Sequence, residues 1–186
     1  MIRNVNIYGI DESILASGYP MRSKLPTSLS LSDMDRAQRL GSCKPSTGHD
    51  SYLKGIIVQM DIKAPQHVWI QILRYHFLDI VSSQSKMHKL LDFTLDDFEN
   101  VDEIILNRYI ELTEEFKAGK IDFERLVNSC PCGLNITARV TTNYLQLKTI
   151  VSQREGHKLE WWREFCKLVL LFPQFRKLTR KVIKID

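Results

Sequence analysis

The sequence lacks any run of about 18 consecutive apolar residues, the length that an α-helix needs to cross the hydrocarbon core of a bilayer. It also lacks the pattern of a secretory signal peptide, with its basic start and short apolar core. Both absences predict a soluble protein without a membrane partner, and we expect it in the cytoplasm.

Cysteine is scarce and is not arranged in metal-binding pairs. The four cysteines are Cys43, Cys130, Cys132 and Cys166, and none of them forms a Cys-x-x-Cys spacing. Cys130 and Cys132 have neither a second cysteine pair nor a histidine cluster near them in sequence, so no metal site is predicted. The low cysteine content is typical of thiols that stay reduced inside a cell.

Neither sign of charge dominates. The 26 basic and 22 acidic residues leave a formal net charge of +4, and no basic run is longer than the segment FRKLTRKVIK at 175–184. Nucleic-acid binding is therefore not expected, whereas a mildly basic protein suits an anionic small molecule. With 44% hydrophobic content in 186 residues, the chain has enough apolar side chains for a single domain, residues 1–186, with a substantial core.

The stretch from Gly48 to His88 contains most of the chemically informative residues. Its first half alternates apolar and polar side chains, which predicts a strand with one buried face; the apolar set is Ile56, Val58, Met60 and Ile62. A helix is predicted to begin at Pro65, because proline at the first helical position breaks no internal hydrogen bond.

This predicted helix has an apolar stripe through Val68, Ile72 and Leu73. Gln71 and Arg74 are three residues apart, so on a helix they project from nearly the same side. An amide and a guanidinium aimed together past a buried strand can form a pocket for a planar, anionic ligand.

Further elements are predicted on both sides of this stretch. Val5 and Ile7 indicate a short strand, and one short helix is expected between a cap at Ser30 or Ser32 and Gly41, within an otherwise irregular segment. Apolar residues at helical spacing predict three later helices: one through Phe98, Val101, Ile105, Leu112 and Phe116, one from about Thr141, and one through Leu159, Trp162, Phe165, Cys166 and Val169.

Along the central stretch stand, in this order, Gly48, His49, Lys63, Ala64, Pro65, Gln71 and Arg74. In these residues and their spacing the stretch resembles the flavin-dependent thymidylate synthases. Tyr75 and His76 replace the second and third members of the family's Arg-His-Arg triplet. Gln84 stands where the family has a serine, with Ser83 and Ser85 on either side of it.

A second stretch carries the other half of the resemblance. The matching residues are Asn143, Leu147, Arg154, His157 and the run Glu160-Trp161-Trp162-Arg163, whereas Leu145 replaces an arginine of the family. The resemblance implies an α+β fold, like that of the thymidylate-synthase-complementing proteins, with a mixed or antiparallel sheet flanked by helices. It also implies a homotetramer whose sites are shared between subunits.

The activity that the resemblance implies is the methylation of dUMP to dTMP with FAD, NADPH and methylenetetrahydrofolate. By position, the nucleotide would be held by Gln71, Arg74, Ser83, Ser85, Lys86 and Arg154, and the flavin by His49, Arg74, Tyr75, His76, Asn143 and His157. The catalytic residue would be Ser85, which takes the place of the family serine by a slip of one residue, as Ser83 could also do, or Gln84, which would itself occupy that place.

Two other functions remain open because these residues differ from the family pattern. One is a non-catalytic nucleotide-binding protein that sequesters a nucleotide or a nucleotide-derived signal on the same fold. The other is an enzyme that modifies a different pyrimidine nucleotide.

Overall fold

The computed structural model describes residues 1–45 and 47–180. The last four residues of the basic segment 175–184 lie outside this range. The four strands are β1 (Ile2–Tyr8), β2 (Ile57–Pro65), β3 (Asp79–Ser83) and β4 (Asn135–Asn143). The described helices are α1 (Ile10–Ala16), α2 (Leu31–Gly41), α3 (Gln66–Ile72), α4 (Lys86–Lys89), α5 (Glu103–Lys117), α6 (Phe123–Ser129), α7 (Tyr144–Arg154), α8 (Glu160–Val169) and α9 (Phe175–Thr179). Short 3₁₀-helices span Tyr19–Met21, Ser51–Gly55, Leu90–Asp92 and Leu95–Asp97.

The strands form one antiparallel sheet in the order β1-β2-β4-β3. The predicted class, an α+β fold with an antiparallel sheet and flanking helices, is confirmed. The chain forms two compact units. Unit 1 contains Met1, Asp61–His76 and Ile80–Val140, and unit 2 contains Ile2–Met60, Phe77–Asp79 and the described residues from 141 onward. The single domain predicted from the sequence stays a prediction.

Strand β2 has the burial pattern that its sequence predicts. Val58, Met60, Ile62 and Ala64 are fully buried, and the residues between them are half-buried. Pro65 ends the strand in an extended conformation (φ −61°, ψ 152°), so α3 begins one residue later than predicted. Val68 and Ile72 of α3 are buried as expected, but Leu73 follows the end of the helix and is 63% exposed.

Strand β4 was missed by the sequence interpretation, which placed a helix from about Thr141. Thr141 and Thr142 belong to β4 instead, because β-branched side chains pack well on a pleated surface. Asn143 then begins α7 by accepting a hydrogen bond from the Gln146 amide at 2.9 Å.

Helix α2 begins at Leu31, and Ser30, one of the two predicted cap residues, is its N-cap. The Ser30 hydroxyl accepts from the Asp33 amide, and the Asp33 carboxylate accepts from the Ser30 amide at 3.0 Å, which is a capping box. The segment before it is more ordered than predicted, because α1 and the 3₁₀-helix Tyr19–Met21 both precede α2.

One cluster of buried side chains in unit 1 includes residues of α5 and α6. Its members are Leu90, Tyr109, Leu112, Leu126, Cys130 and Leu134. Helix α5 begins only at Glu103, so Phe98 and Val101 precede the helix that was predicted to contain them, and Ile105 is 56% exposed.

In unit 2, α8 buries Trp161, Trp162, Phe165, Cys166 and Val169, so both tryptophans are core residues. Within the described ranges, no helix has both the length and the apolar content that crossing a bilayer would require.

Candidate functional site

Four of the predicted site residues lie at the end of α3 in unit 1. Gln71 belongs to the helix, whereas Arg74, Tyr75 and His76 lie in the connection that follows Leu73. The Arg74 amide donates to the Gln71 carbonyl at 3.4 Å in this turn. The predicted helix through Arg74 is therefore wrong in its extent, because α3 ends at Ile72.

Gln84 connects the end of β3 to β4. Its backbone N–H donates to the Thr137 carbonyl at 2.9 Å, and its side-chain Oε1 accepts from the Thr137 N–H at 2.8 Å. The Gln84 Oε1 atom, which could otherwise accept a hydrogen bond from a base, is thus already bonded to the Thr137 backbone.

Ser85 and Lys86 have structural partners of their own. The Ser85 hydroxyl caps α4 by accepting from the His88 amide at 3.2 Å, and it lies 2.8 Å from His88 Nδ1. Lys86 Nζ donates to the Val127 carbonyl at 3.2 Å and to Gln66 Oε1 at 3.5 Å.

A cavity of about 330 Å³ in unit 1 brings Ser83, Gln84 and Lys86 together. Its apolar walls come from Trp69, Ile70, Leu73, Ile80, Ile136 and Ala138. Gln66 also lines it, and its buried Nε2 has no hydrogen-bond partner among the described residues. The sequence interpretation missed Gln66. Its place directly after Pro65, at the start of α3, was the available signal.

A larger cavity of about 860 Å³ lies in unit 2 and includes Gly48 and His49. Gly48 has φ 79°, a left-handed conformation that favours glycine. Most of the wall is apolar, from residues such as Ala16, Pro20 and Leu40.

Two arginines of α2, Arg36 and Arg39, also line the unit 2 cavity. They are three residues apart, so one helix face presents both. No family motif covers them, and the sequence interpretation missed them, although their i, i+3 spacing on a predicted helix was visible.

Arg36 is held in place by several groups. Its Nη2 donates to Asp33 Oδ1 at 2.6 Å and its Nε to the Ser17 hydroxyl at 3.3 Å. Asp33 is buried, and its Oδ1 also accepts from Arg22 Nη2 at 2.5 Å. The Ser30 hydroxyl, followed by the Arg36 guanidinium, holds the pKa of Asp33 well below its usual range, so the carboxylate stays ionised.

The remaining predicted residues lie elsewhere in unit 2. Arg154, at the end of α7, has its guanidinium 4.9 Å from the centre of the Trp162 ring, and the His157 ring packs edge-on against the same indole at 6.5 Å. His157 Nδ1 accepts from the Leu159 amide at 3.2 Å. Burial, with the nearby Arg154 charge, lowers the pKa of His157. Arg154 and His157 are thus brought together, whereas Asn143 serves as the cap of α7.

Comparison by sequence finds no matching family model and no matching curated protein. Comparison by structure finds flavin-dependent thymidylate synthase ThyX from Helicobacter pylori, complexed with FAD and dUMP. The TM-score is 0.73 at 15% identity, over 94% of this chain and 96% of that chain. A second structure of ThyX from the same organism with FAD and dUMP gives a TM-score of 0.75 at 15% identity, over 95% of this chain and 96% of that one. The chain therefore has the fold of these flavin-dependent thymidylate synthase structures.

Proposed function

We propose that the protein is a flavin-dependent thymidylate synthase-like enzyme that binds FAD and methylates dUMP with NADPH and methylenetetrahydrofolate. The fold supports this proposal along 94–95% of the chain. The main observation in its favour is that His49, the histidine of the family's Gly-His pair, lines a cavity of about 860 Å³.

The residues of this cavity fit a flavin dinucleotide. Its volume lies within the range of about 300–1,000 Å³ that is usual for small-molecule sites, and its apolar wall suits a flat ring system. Arg36 and Arg39 supply positive charge for phosphates. When bound, the flavin would supply the hydride chemistry, while the protein supplies binding and electrostatics.

A titration with FAD tests this proposal directly. We expect the protein to take up FAD and to show the visible absorption bands of oxidised flavin, and His49→Ala to weaken FAD binding about tenfold, or about 1.4 kcal/mol. His67→Ala, an exposed histidine of unit 1, is the matched control and should bind FAD as the wild type does. A colourless protein that takes up no added FAD would contradict the proposal.

A non-catalytic nucleotide-binding protein is the second candidate, and Gln84 favours it. In the family pattern a serine hydroxyl stands at this place. An amide cannot replace a hydroxyl in proton transfer, and the Gln84 amide oxygen already accepts from Thr137. Calorimetry that detects dUMP binding, together with an assay that detects no dTMP formation from the complete substrate set, would favour this candidate or an enzyme acting on another pyrimidine.

A further inference from the structure

We propose that Arg36 and Arg39 form an anion-binding subsite in the unit 2 cavity, and that this subsite takes the diphosphate of a dinucleotide. The identification of that dinucleotide as FAD rests on the proposed function. The subsite itself rests on the residues of α1, α2 and the turn between α1 and the 3₁₀-helix Tyr19–Met21, which the family motifs do not include.

The charges around the unit 2 cavity favour an anion. Asp33 is the one carboxylate that binds both Arg22 and Arg36 through a single oxygen, so this cluster keeps one excess positive charge. Arg39 adds another, and its side chain has no carboxylate partner among the described residues. The described residues that line the cavity include no aspartate or glutamate. A cavity with this excess attracts anions.

The Arg36 guanidinium has hydrogen-bond donors that the described residues do not use. A guanidinium has five N–H donors. Arg36 donates from Nη2 to Asp33 and, at 3.5 Å, to the Ile14 carbonyl, and from Nε to Ser17. Within the part of the chain that the structure describes, these bonds leave the Nη1 donors of Arg36 for a ligand in the cavity.

The position of the Arg36 guanidinium is fixed by its neighbours. Its guanidinium lies against Gly18, where an added Cβ would stand 2.5 Å from Cζ and 2.6 Å from Nη2. Gly18 has φ −100° and ψ −6°, so its backbone does not need glycine. The missing side chain makes room for the guanidinium, which is therefore ordered before any ligand binds and loses little entropy on binding.

The spacing of Arg36 and Arg39 suits a ligand with two phosphates. Two guanidiniums three residues apart on one helix face can pair with two neighbouring phosphates, since guanidinium binds phosphate oxygens in a bidentate manner. The apolar wall of Ala16, Pro20 and Leu40 beside them suits the ring at one end of such a ligand.

Calorimetry with inorganic pyrophosphate tests the subsite without any flavin. We expect the wild-type protein to bind pyrophosphate and Arg39→Met to weaken this binding about tenfold. Lys54→Met removes the same charge from an exposed position of unit 2 that does not line the cavity, and it should leave the affinity unchanged. Equal affinity in the Arg39 and Lys54 variants, or no binding by the wild type, would overturn the proposal.

A second pair of variants tests position at constant charge. Gly18→Ala should displace the Arg36 guanidinium and weaken pyrophosphate binding several-fold, while the buried Asp33 carboxylate keeps its hydrogen bonds from Arg22 and Ser30. Gly156→Ala, where an added Cβ meets nothing within 4 Å, should bind like the wild type. Wild-type affinity in Gly18→Ala would remove Arg36 from the subsite.

Flavin titrations separate this inference from the proposed function. If FAD is the ligand, Arg39→Met should weaken FAD binding about tenfold and leave the binding of riboflavin, which has no phosphate, unchanged. Pyrophosphate binding that depends on Arg39 in a protein that takes up no FAD would sustain the subsite and overturn the proposed function.

Discussion

Among single residues, we expect the buried ion pair between Lys148 and Asp50 to contribute strongly to the stability of unit 2. Lys148 Nζ lies 2.5 Å from Asp50 Oδ2 and also donates to the Cys43 carbonyl at 2.7 Å. Lys148→Met leaves the Asp50 carboxylate buried without its cation, so we expect a loss of about 3–5 kcal/mol in the free energy of unfolding. Urea-induced unfolding measures this loss.

The double variant Lys148→Met with Asp50→Asn should recover part of that loss, because it removes the uncompensated charge. Lys158→Met, at an exposed position, is the matched control and should change the free energy of unfolding by less than about 0.5 kcal/mol. Equal stability of the Lys148 and Lys158 variants would show that the ion pair does not stabilise unit 2.

Arg74 and Arg154 are expected to contact a phosphate-bearing ligand. A hydrogen bond to a charged group contributes about 1.5–3 kcal/mol, so changing either arginine to alanine should weaken dUMP binding by about tenfold or more. Calorimetry on both variants measures the effect. Unchanged affinity in both would exclude the two arginines from the nucleotide site.

Individual site residues differ in how far the sequence predicts them. His49 is predicted because it follows a glycine in a family motif, and in the structure it lines the unit 2 cavity. Arg36 and Arg39 were missed although both lie on the predicted helix, because Ser17 and Gly18, which fix the position of Arg36, reach it only through the packing of α2 against α1 and the turn after it. Periodicity within one helix does not contain that information.

At the element scale, the side chain of Gln84 stabilises the pairing of β3 with β4. Gln84→Ala removes the hydrogen bond from the Thr137 N–H, so we expect a loss of about 0.5–1.5 kcal/mol and faster hydrogen exchange at the Thr137 amide. NMR-detected exchange measures it. Ser82→Ala, on the same exposed strand, should leave that amide protected, and unchanged exchange in the Gln84 variant would contradict this role.

Element boundaries were predicted well where one local signal was decisive. Ser30 fixes the start of α2 through a capping box, and alternation over Ile56–Ile62 gives β2. The end of α3 and the strand β4 were mispredicted, because apolar residues near Leu73 and Thr141 fit helical spacing as well. Tertiary pairing, which one sequence does not display, decides such cases.

At the scale of the whole molecule, we expect a homo-oligomer, with the tetramer implied by the family resemblance. The predicted site residues lie in two distant segments of the sequence, and the family resemblance implies sites that are shared between subunits. Size-exclusion chromatography with light scattering should give a mass that is a multiple of 21.7 kDa. A strict monomer at micromolar concentration would contradict this expectation.

We expect this one protein to bind both FAD and a uracil nucleotide. The most direct measurement is the visible spectrum of the FAD-loaded protein during a titration with dUMP, because the family resemblance implies that the flavin and the nucleotide stack together. We predict that dUMP perturbs the flavin bands in a saturable way and that uridine, which lacks the phosphate, does so only at much higher concentration. A flavin spectrum that dUMP leaves unchanged, or a protein that binds no FAD, would contradict the claim.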